Sequence, residues 1–414
     1  MFRQPSRVLT LGLVLYLCVY LFLGIRTETR FMSIMPLPDH WMEDFGFYER
    51  ALDKALTGQG YVYGSRLIGV AFLYPPPSLF VVELFGHIEP LMLKGTVFAA
   101  VNVLLMLLLV HGIARLYSLG LAKTWWWYAL CLGFAPFLEV IHLGQINVIT
   151  MFGIFLLYYW ESTRPGLAGA GLGLGVATKV SPLLFFGYLF ANRRFRAAAY
   201  AVLAILLLFA AGILRYGLEP LRQYPEAFRW LLDQQQLDSN SQSLTAKLAV
   251  ADTPEYQKLI ARLPESIRRV VNYPFAAATI HTQTLQRFLS IYVLILMLAS
   301  FALTFLSRGP REPSFIITAL GMMLSPNIMW YHHYVFFLLP LLIWIAWRQF
   351  DTQTILWCLL GFLVIQADRF APPYGLLIHI FGHLTILFVL AGQARDWLNN
   401  KRALDWRLHH LTQE

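Results

Sequence analysis

The sequence predicts an all-α polytopic membrane protein, and three observations predict it. Hydrophobic residues fill 58% of the 414 positions and charged residues only 13%, against roughly 25% charge in soluble domains. Apolar runs close to the thickness of a bilayer core recur along the chain. Lysine and arginine cluster in every second connection between those runs. Such a composition excludes intrinsic disorder and a nucleic-acid-binding role.

The run 8–25 follows Arg3 and Arg7 and lacks the small-x-small site of a cleaved leader, so it reads as a retained anchor. Further runs occupy 95–114, 124–138, 140–160, 197–214 and 288–307. The charge-free stretch 313–347 is too long for one span, and Ser325-Pro326-Asn327 divides it into two. With 352–367 and 370–394 the expectation is about ten full spans. Residues 165–192 lie between Arg164 and the Arg193-Arg194-Phe195-Arg196 cluster and are interrupted by Lys179 and Pro182. Too few for two spans, they predict a hairpin of short helices, 165–178 and 182–192, that enters and leaves on one side.

Orientation follows from the basic residues. With the N-terminus inside, the inner connections hold Arg3, Arg7, Arg115, Lys123, Arg164, Arg193, Arg194, Arg196, Arg308, Arg311, Arg348 and the basic tail 395–414, whereas the short outer ones hold only Arg369. Both termini are thus expected in the cytoplasm, and the net charge of +9 reads as a topology signal rather than a polyanion site. Two long outer segments, 26–94 and 216–287, are left to house chemistry. In the first, Asp39 can cap a helix that ends before Gly58, and Phe45, Tyr48, Leu52 and Ala55 recur at helical spacing. This predicts an amphipathic helix on the membrane surface. Tyr74-Pro75-Pro76-Pro77 then opens a short apolar helix. The three cysteines, Cys18, Cys131 and Cys358, sit inside apolar runs and imply neither disulfide nor zinc site.

The candidate chemistry lies at the outer ends of spans. Asp44, with Tyr48 one turn on, could act as a general base toward a hydroxyl, although Glu28, Asp39, Glu43, Glu49 and Asp53 share the segment. Gln145 and Asn147 could hydrogen-bond a sugar or simply cap a helix. Lys179 is an ammonium at membrane depth and a functional candidate on that ground; it could meet a lipid phosphate, or pair with a backbone carbonyl. Trp330, His332 and His333 stand at the outer start of another span, as phosphate ligands or as an interfacial belt. No third ligand accompanies the histidine pair at helical spacing, so no metal is expected. No Walker loop, no dinucleotide fingerprint and no soluble domain for a nucleotide sugar is present; no cofactor is expected, and a glycosyl donor would arrive through the lipid. A transporter or lipid flippase is the alternative, weakened by the lack of internal repeats and of matching broken helices.

Together these residues resemble a known family. The order Asp44-x-x-x-Tyr48, Tyr74-x-Pro76, Gly144-Gln145-x-Asn147, Lys179-x-x-Pro182, Asn240-x-x-Ser243, Ser325-Pro326 and Trp330-x-His332-His333 resembles the bacterial glycosyltransferase family 87. The resemblance implies the glycosyltransferase-C fold and a catalytic aspartate in the first outer loop, which by position is Asp44. It also implies a polyprenyl-phosphate-linked sugar donor, a glycolipid or glycan acceptor, and transfer with inversion on the outer face of the cytoplasmic membrane. Mannose is the favoured sugar, with arabinofuranose as the other option. Lys179, His332 and His333 would bind the donor phosphate; Tyr48, Tyr74, Gln145, Asn147, Asn240 and Trp330 would bind substrate. Glu43 beside Asp44 forms an acidic pair of the kind seen in other branches of the superfamily, so its share in the chemistry stays open.

Overall fold

A computed structural model of the protein describes residues 41–63, 72–233, 282–325, 331–368 and 375–411. The expected anchor at 8–25, the cap Asp39, and the site candidates Asn240 and Trp330 lie outside these residues. All regular structure among the described residues is helical.

Helix α1 (Glu43–Thr57) carries the expected stripe, Phe45, Tyr48, Leu52 and Ala55, with Ala51 added, and ends at Gly58 in the left-handed conformation. The stripe does not lie on lipid. It packs against the short α2 (Leu79–Gly86) and the start of α3 (Leu91–Leu116): Phe45 meets Phe85 and Phe98 edge to face, at 6.3 and 5.6 Å between ring centroids. Lys94 near the N-terminus of α3 donates to Glu49 Oε1 at 2.5 Å and pins the helix's outer side. A proline-led 3₁₀ turn, Pro76–Ser78, opens α2.

The chain then makes a bent pair, α4 (Leu121–Leu132) and α5 (Ala135–Leu143), kinked by 49°. The expected run 140–160 is therefore divided: its first residues belong to α5, and α6 begins only at Asn147 (Asn147–Trp160). Gly144 makes the division. At φ 74° it is a left-handed cap that a helix cannot continue through, and a Cβ there would sit 2.7 Å from Phe45 Cβ. Gly144→Ala should thus combine left-handed strain, of about 1 kcal/mol or more, with displacement of α1. A large loss of activity with only a modest drop in melting temperature is expected, measured on detergent-purified protein; full activity would contradict the docking described here.

Helix α7 (Pro165–Thr178) runs back along α6, so close that a Cβ on Gly171 would lie 2.6 Å from Leu156 Cβ and 2.8 Å from the Gly153 carbonyl. The α7 C-terminus reaches the start of α6, where Thr150 and Thr178 hydroxyls bond at 2.8 Å. After a 3₁₀ turn, Ser181–Leu184, α8 (Phe185–Ala191) comes back toward the far end, and Asn192 donates to Ser314 there. Helix α9 (Phe195–Tyr216) covers the other side of α7, and its end is tied to α2 through Arg215 and Tyr216, both donating to Glu83. Helix α10 (Glu219–Asp233) joins the two long segments expected to lie outside: Gln223 Oε1 accepts the Val62 amide at 2.8 Å.

The remaining elements are α11 (Thr282–Ser307), α12 (Glu312–Leu324), a 3₁₀ helix Tyr331–Phe337 that leads into α13 (Leu338–Trp347), α14 (Thr352–Asp368) and α15 (Gly375–Leu411). Helix α15 continues without a break past Arg395, so the expected tail is helical up to Leu411. Among the described residues four helices are long and apolar enough to cross a membrane, or five if the bent pair counts as one span. The count of about ten full spans is not reached there, because α6, α12 and α14 are cut short. Helix α6, with 14 residues, rises only about 21 Å.

At the end opposite the α6 N-terminus sits a buried ionic cluster. Arg311 donates to Glu161 Oε1 at 2.7 Å and to the Tyr158 carbonyl at 3.0 Å, and Tyr117 and Tyr158 both donate to Glu312. The Glu161 side chain has no solvent exposure. Removing one partner of such a pair strands the other, at about 3–5 kcal/mol. Arg311→Ala should lower the melting temperature sharply, and adding Glu161→Gln should restore part of it; equal stability of Arg311→Ala and wild type would show the pair to be idle.

Candidate active site

Helix α1 meets the bundle at the turn between α5 and α6. The Met42 amide donates to the His142 carbonyl at 2.8 Å, which sets the first turn of α1 over that loop. Asp44 is half-buried there, while Glu43 is exposed. The Gln145 amide Nε2 donates to Asp44 Oδ2 in a short contact. Gln145 is itself held from behind: Tyr74 donates to its Oε1 at 2.6 Å, and Tyr48 donates to the Tyr74 hydroxyl at 3.1 Å. Burial pushes both phenols up, so both remain protonated donors. Gln145 therefore cannot flip without losing Tyr74, and one carboxylate oxygen of Asp44 stays tethered.

Burial also raises the Asp44 carboxyl above the ordinary aspartate range; the charge of His332 and the Gln145 hydrogen bond oppose that rise, and Glu43 and Glu139 add to it. A base so placed is stronger than a free aspartate.

The second half of the site is built from nitrogen donors. Lys179 follows the last residue of α7, half-buried, and donates to Asn147 Oδ1 at 3.2 Å. Its ammonium lies 5.4 Å from the Phe336 ring centroid. His332 and His333, on the 3₁₀ helix that carries Phe336, pack edge to face at 4.6 Å. Lys179 and His332 are neighbours of His333, and His332 is a neighbour of Asp44. Asp44, His332, His333 and Lys179 thus belong to one region.

The structure brings together eight of the ten expected site residues, and the two others fall outside the described residues. Tyr48, Gln145 and Asn147 are buried, with Asn147 at 0% exposure; Gln145 bonds Asp44, Asn147 bonds Lys179, and Tyr48 reaches them through Tyr74. The sequence predicts Glu139 as a connecting residue between runs 124–138 and 140–160, and the structure differs, with Glu139 inside α5. It lies in a helix and faces His332. The usable signal was a lone carboxylate flanked by apolar residues on both sides.

Comparison with known proteins bears on this arrangement. A curated relative from Mycobacterium tuberculosis (strain CDC 1551 / Oshkosh), a polyprenol-phosphate-mannose-dependent alpha-(1-2)-phosphatidylinositol pentamannoside mannosyltransferase, is 27% identical over 304 residues. The match covers 71% of this chain and 63% of the relative, so the chain spans less than two thirds of that protein. A family model described as glycosyltransferase family 87 matches residues 72–330, a stretch that contains Tyr74, Gln145, Asn147 and Lys179 and amounts to well over half of the sequence. The chain belongs to glycosyltransferase family 87.

Proposed function

We propose that the protein transfers a hexose, mannose being favoured, from a polyprenyl-phosphate-sugar to a hydroxyl of a glycolipid or glycan acceptor. Transfer takes place with inversion on the outer face of the cytoplasmic membrane. The observation that carries this reading is the placing of a tethered carboxylate, Asp44, in one site with Lys179, His332 and His333. Family membership and the relative's donor support it.

In this mechanism Asp44 takes the proton of the acceptor hydroxyl as its oxygen bonds to the anomeric carbon. The bond from that carbon to the donor phosphate oxygen breaks, and the lipid phosphate leaves with the electron pair. A phosphate needs no general acid. It needs hydrogen-bond donors in place before the bond breaks, which Lys179 and the two histidines supply. Attack from the face opposite the phosphate turns a β-linked donor into an α-linked product. Tyr48, Tyr74 and Gln145 keep Asp44 aimed, and Asn147 keeps Lys179 aimed.

The test is transfer from radiolabelled polyprenyl-phosphate-mannose by purified protein to a panel of membrane glycolipids. Labelled glycolipid is expected. Movement of a lipid or solute across proteoliposomes without any labelled product would instead favour a transporter.

The topology half of the proposal has its own check. In a variant stripped of native cysteines, Gln59→Cys on the outer segment should react with an impermeant maleimide in intact cells, and Ser162→Cys, beyond α6, only after lysis. Both are exposed. The reverse pattern would place Asp44 on the inner face and overturn the lipid-donor argument.

A further inference from the structure

Glu139 is a carboxylate that the mechanism above does not use. It sits in the apolar α5, among Phe137, Leu138, Val140 and Ile141, where a carboxylate is costly and calls for a purpose. Its Oε1 lies 3.9 Å from Nδ1 of His332, with side-chain exposures of 14% and 5%. Helix α5 packs along the 3₁₀ helix that bears His332. The same α5 leads through Gly144 into Gln145, the residue that tethers Asp44. One short helix therefore reaches both halves of the site, Asp44 through Gln145 and His332 through Glu139.

The surroundings of His332 complete the picture. Asp44 from α1 and Glu139 from α5 are its acidic neighbours, and His333, which has Lys179 from the end of α7 as a neighbour, packs against it. A histidine that binds a ligand through one nitrogen is oriented by what its other nitrogen meets. We propose that Glu139 is a positioning residue for the transfer reaction, its carboxylate beside Nδ1 setting the orientation of the His332 ring toward the donor phosphate. Glu139 touches neither the sugar nor the acceptor, and takes no proton from the acceptor; that remains with Asp44. The inference rests on the proposed function and deepens it, by naming what fixes the orientation of the phosphate-facing side chain.

A misplaced catalytic group slows transfer by up to about 10²-fold. Glu139→Ala should therefore lower kcat within that range and leave the KM for the acceptor near wild type. Glu139→Gln, which keeps the length of the side chain and a polar oxygen facing Nδ1, should retain much more activity. The deciding readout is a double-mutant cycle with His332→Ala, all variants being measured with polyprenyl-phosphate-mannose after their melting temperatures are matched. Since Glu139 acts through His332, removing Glu139 should cost almost nothing further once His332 is gone. Full additivity of the two losses, or wild-type kcat in Glu139→Ala, would overturn the inference while leaving the proposed function standing. Failure of the wild-type protein to use the lipid donor at all would overturn the proposed function instead.

Discussion

Asp44→Asn is expected to slow sugar transfer by roughly 10²- to 10⁴-fold, the range for loss of a general base, with folding and donor binding close to wild type. Asparagine keeps the shape of the side chain and can keep a hydrogen bond with Gln145, whose amide now donates to the carboxylate. What it cannot do is take the acceptor's proton. Glu43→Gln should cost far less, because Glu43 is exposed and Asp44 is the carboxylate that Gln145 holds. An inactive Glu43→Gln beside an active Asp44→Asn would reverse the assignment. The pH profile adds a second reading. A base works only when ionised, so activity falls as pH drops through its pKa. Burial raises that pKa above the ordinary aspartate value of 3.8, and the acid limb of kcat/KM should accordingly lie higher than an exposed aspartate would put it.

Lys179→Met should slow transfer and weaken donor binding together. The ammonium would contact the phosphate in the resting complex and more strongly as negative charge collects on it during departure. Methionine fills similar space beside Phe336, which limits the packing loss to the Asn147 hydrogen bond. Lys179→Arg should restore only part of the activity, since a planar fork does not reproduce a point charge held at one spot. Acceptor affinity should hardly change. Donor and acceptor binding measured separately on correctly inserted protein will decide: unchanged donor binding with normal turnover would make Lys179 a structural lysine.

How much of this was legible in the sequence depends on what each feature rests on. Helix 165–178 is read to the residue, because Pro165 fits a first turn and Lys179 with Pro182 ends it. The stripe on α1 is read correctly as helical, but its apolar face is covered by Phe85 and Phe98 rather than lipid, and hydropathy cannot tell one apolar environment from another. The α5–α6 boundary is misplaced by several residues because the reading took the charge at Glu139 as the break, when the backbone breaks at Gly144. A carboxylate inside a helix and one in a connection look alike until their partners are known. The motif residues were each visible, yet their roles follow from contacts between residues far apart in sequence, such as Tyr74 with Gln145 and Lys179 with Asn147. Those depend on packing, which spacing does not encode.

The account stands most directly on the identity of the donor and the need for Asp44. Purified wild-type and Asp44→Asn proteins in liposomes, each offered equal amounts of radiolabelled polyprenyl-phosphate-mannose or a nucleotide-activated mannose, should give labelled glycolipid in one of the four reactions only, wild type with the lipid donor. Product formed from the nucleotide sugar, or undiminished transfer by Asp44→Asn from the lipid donor, would contradict it.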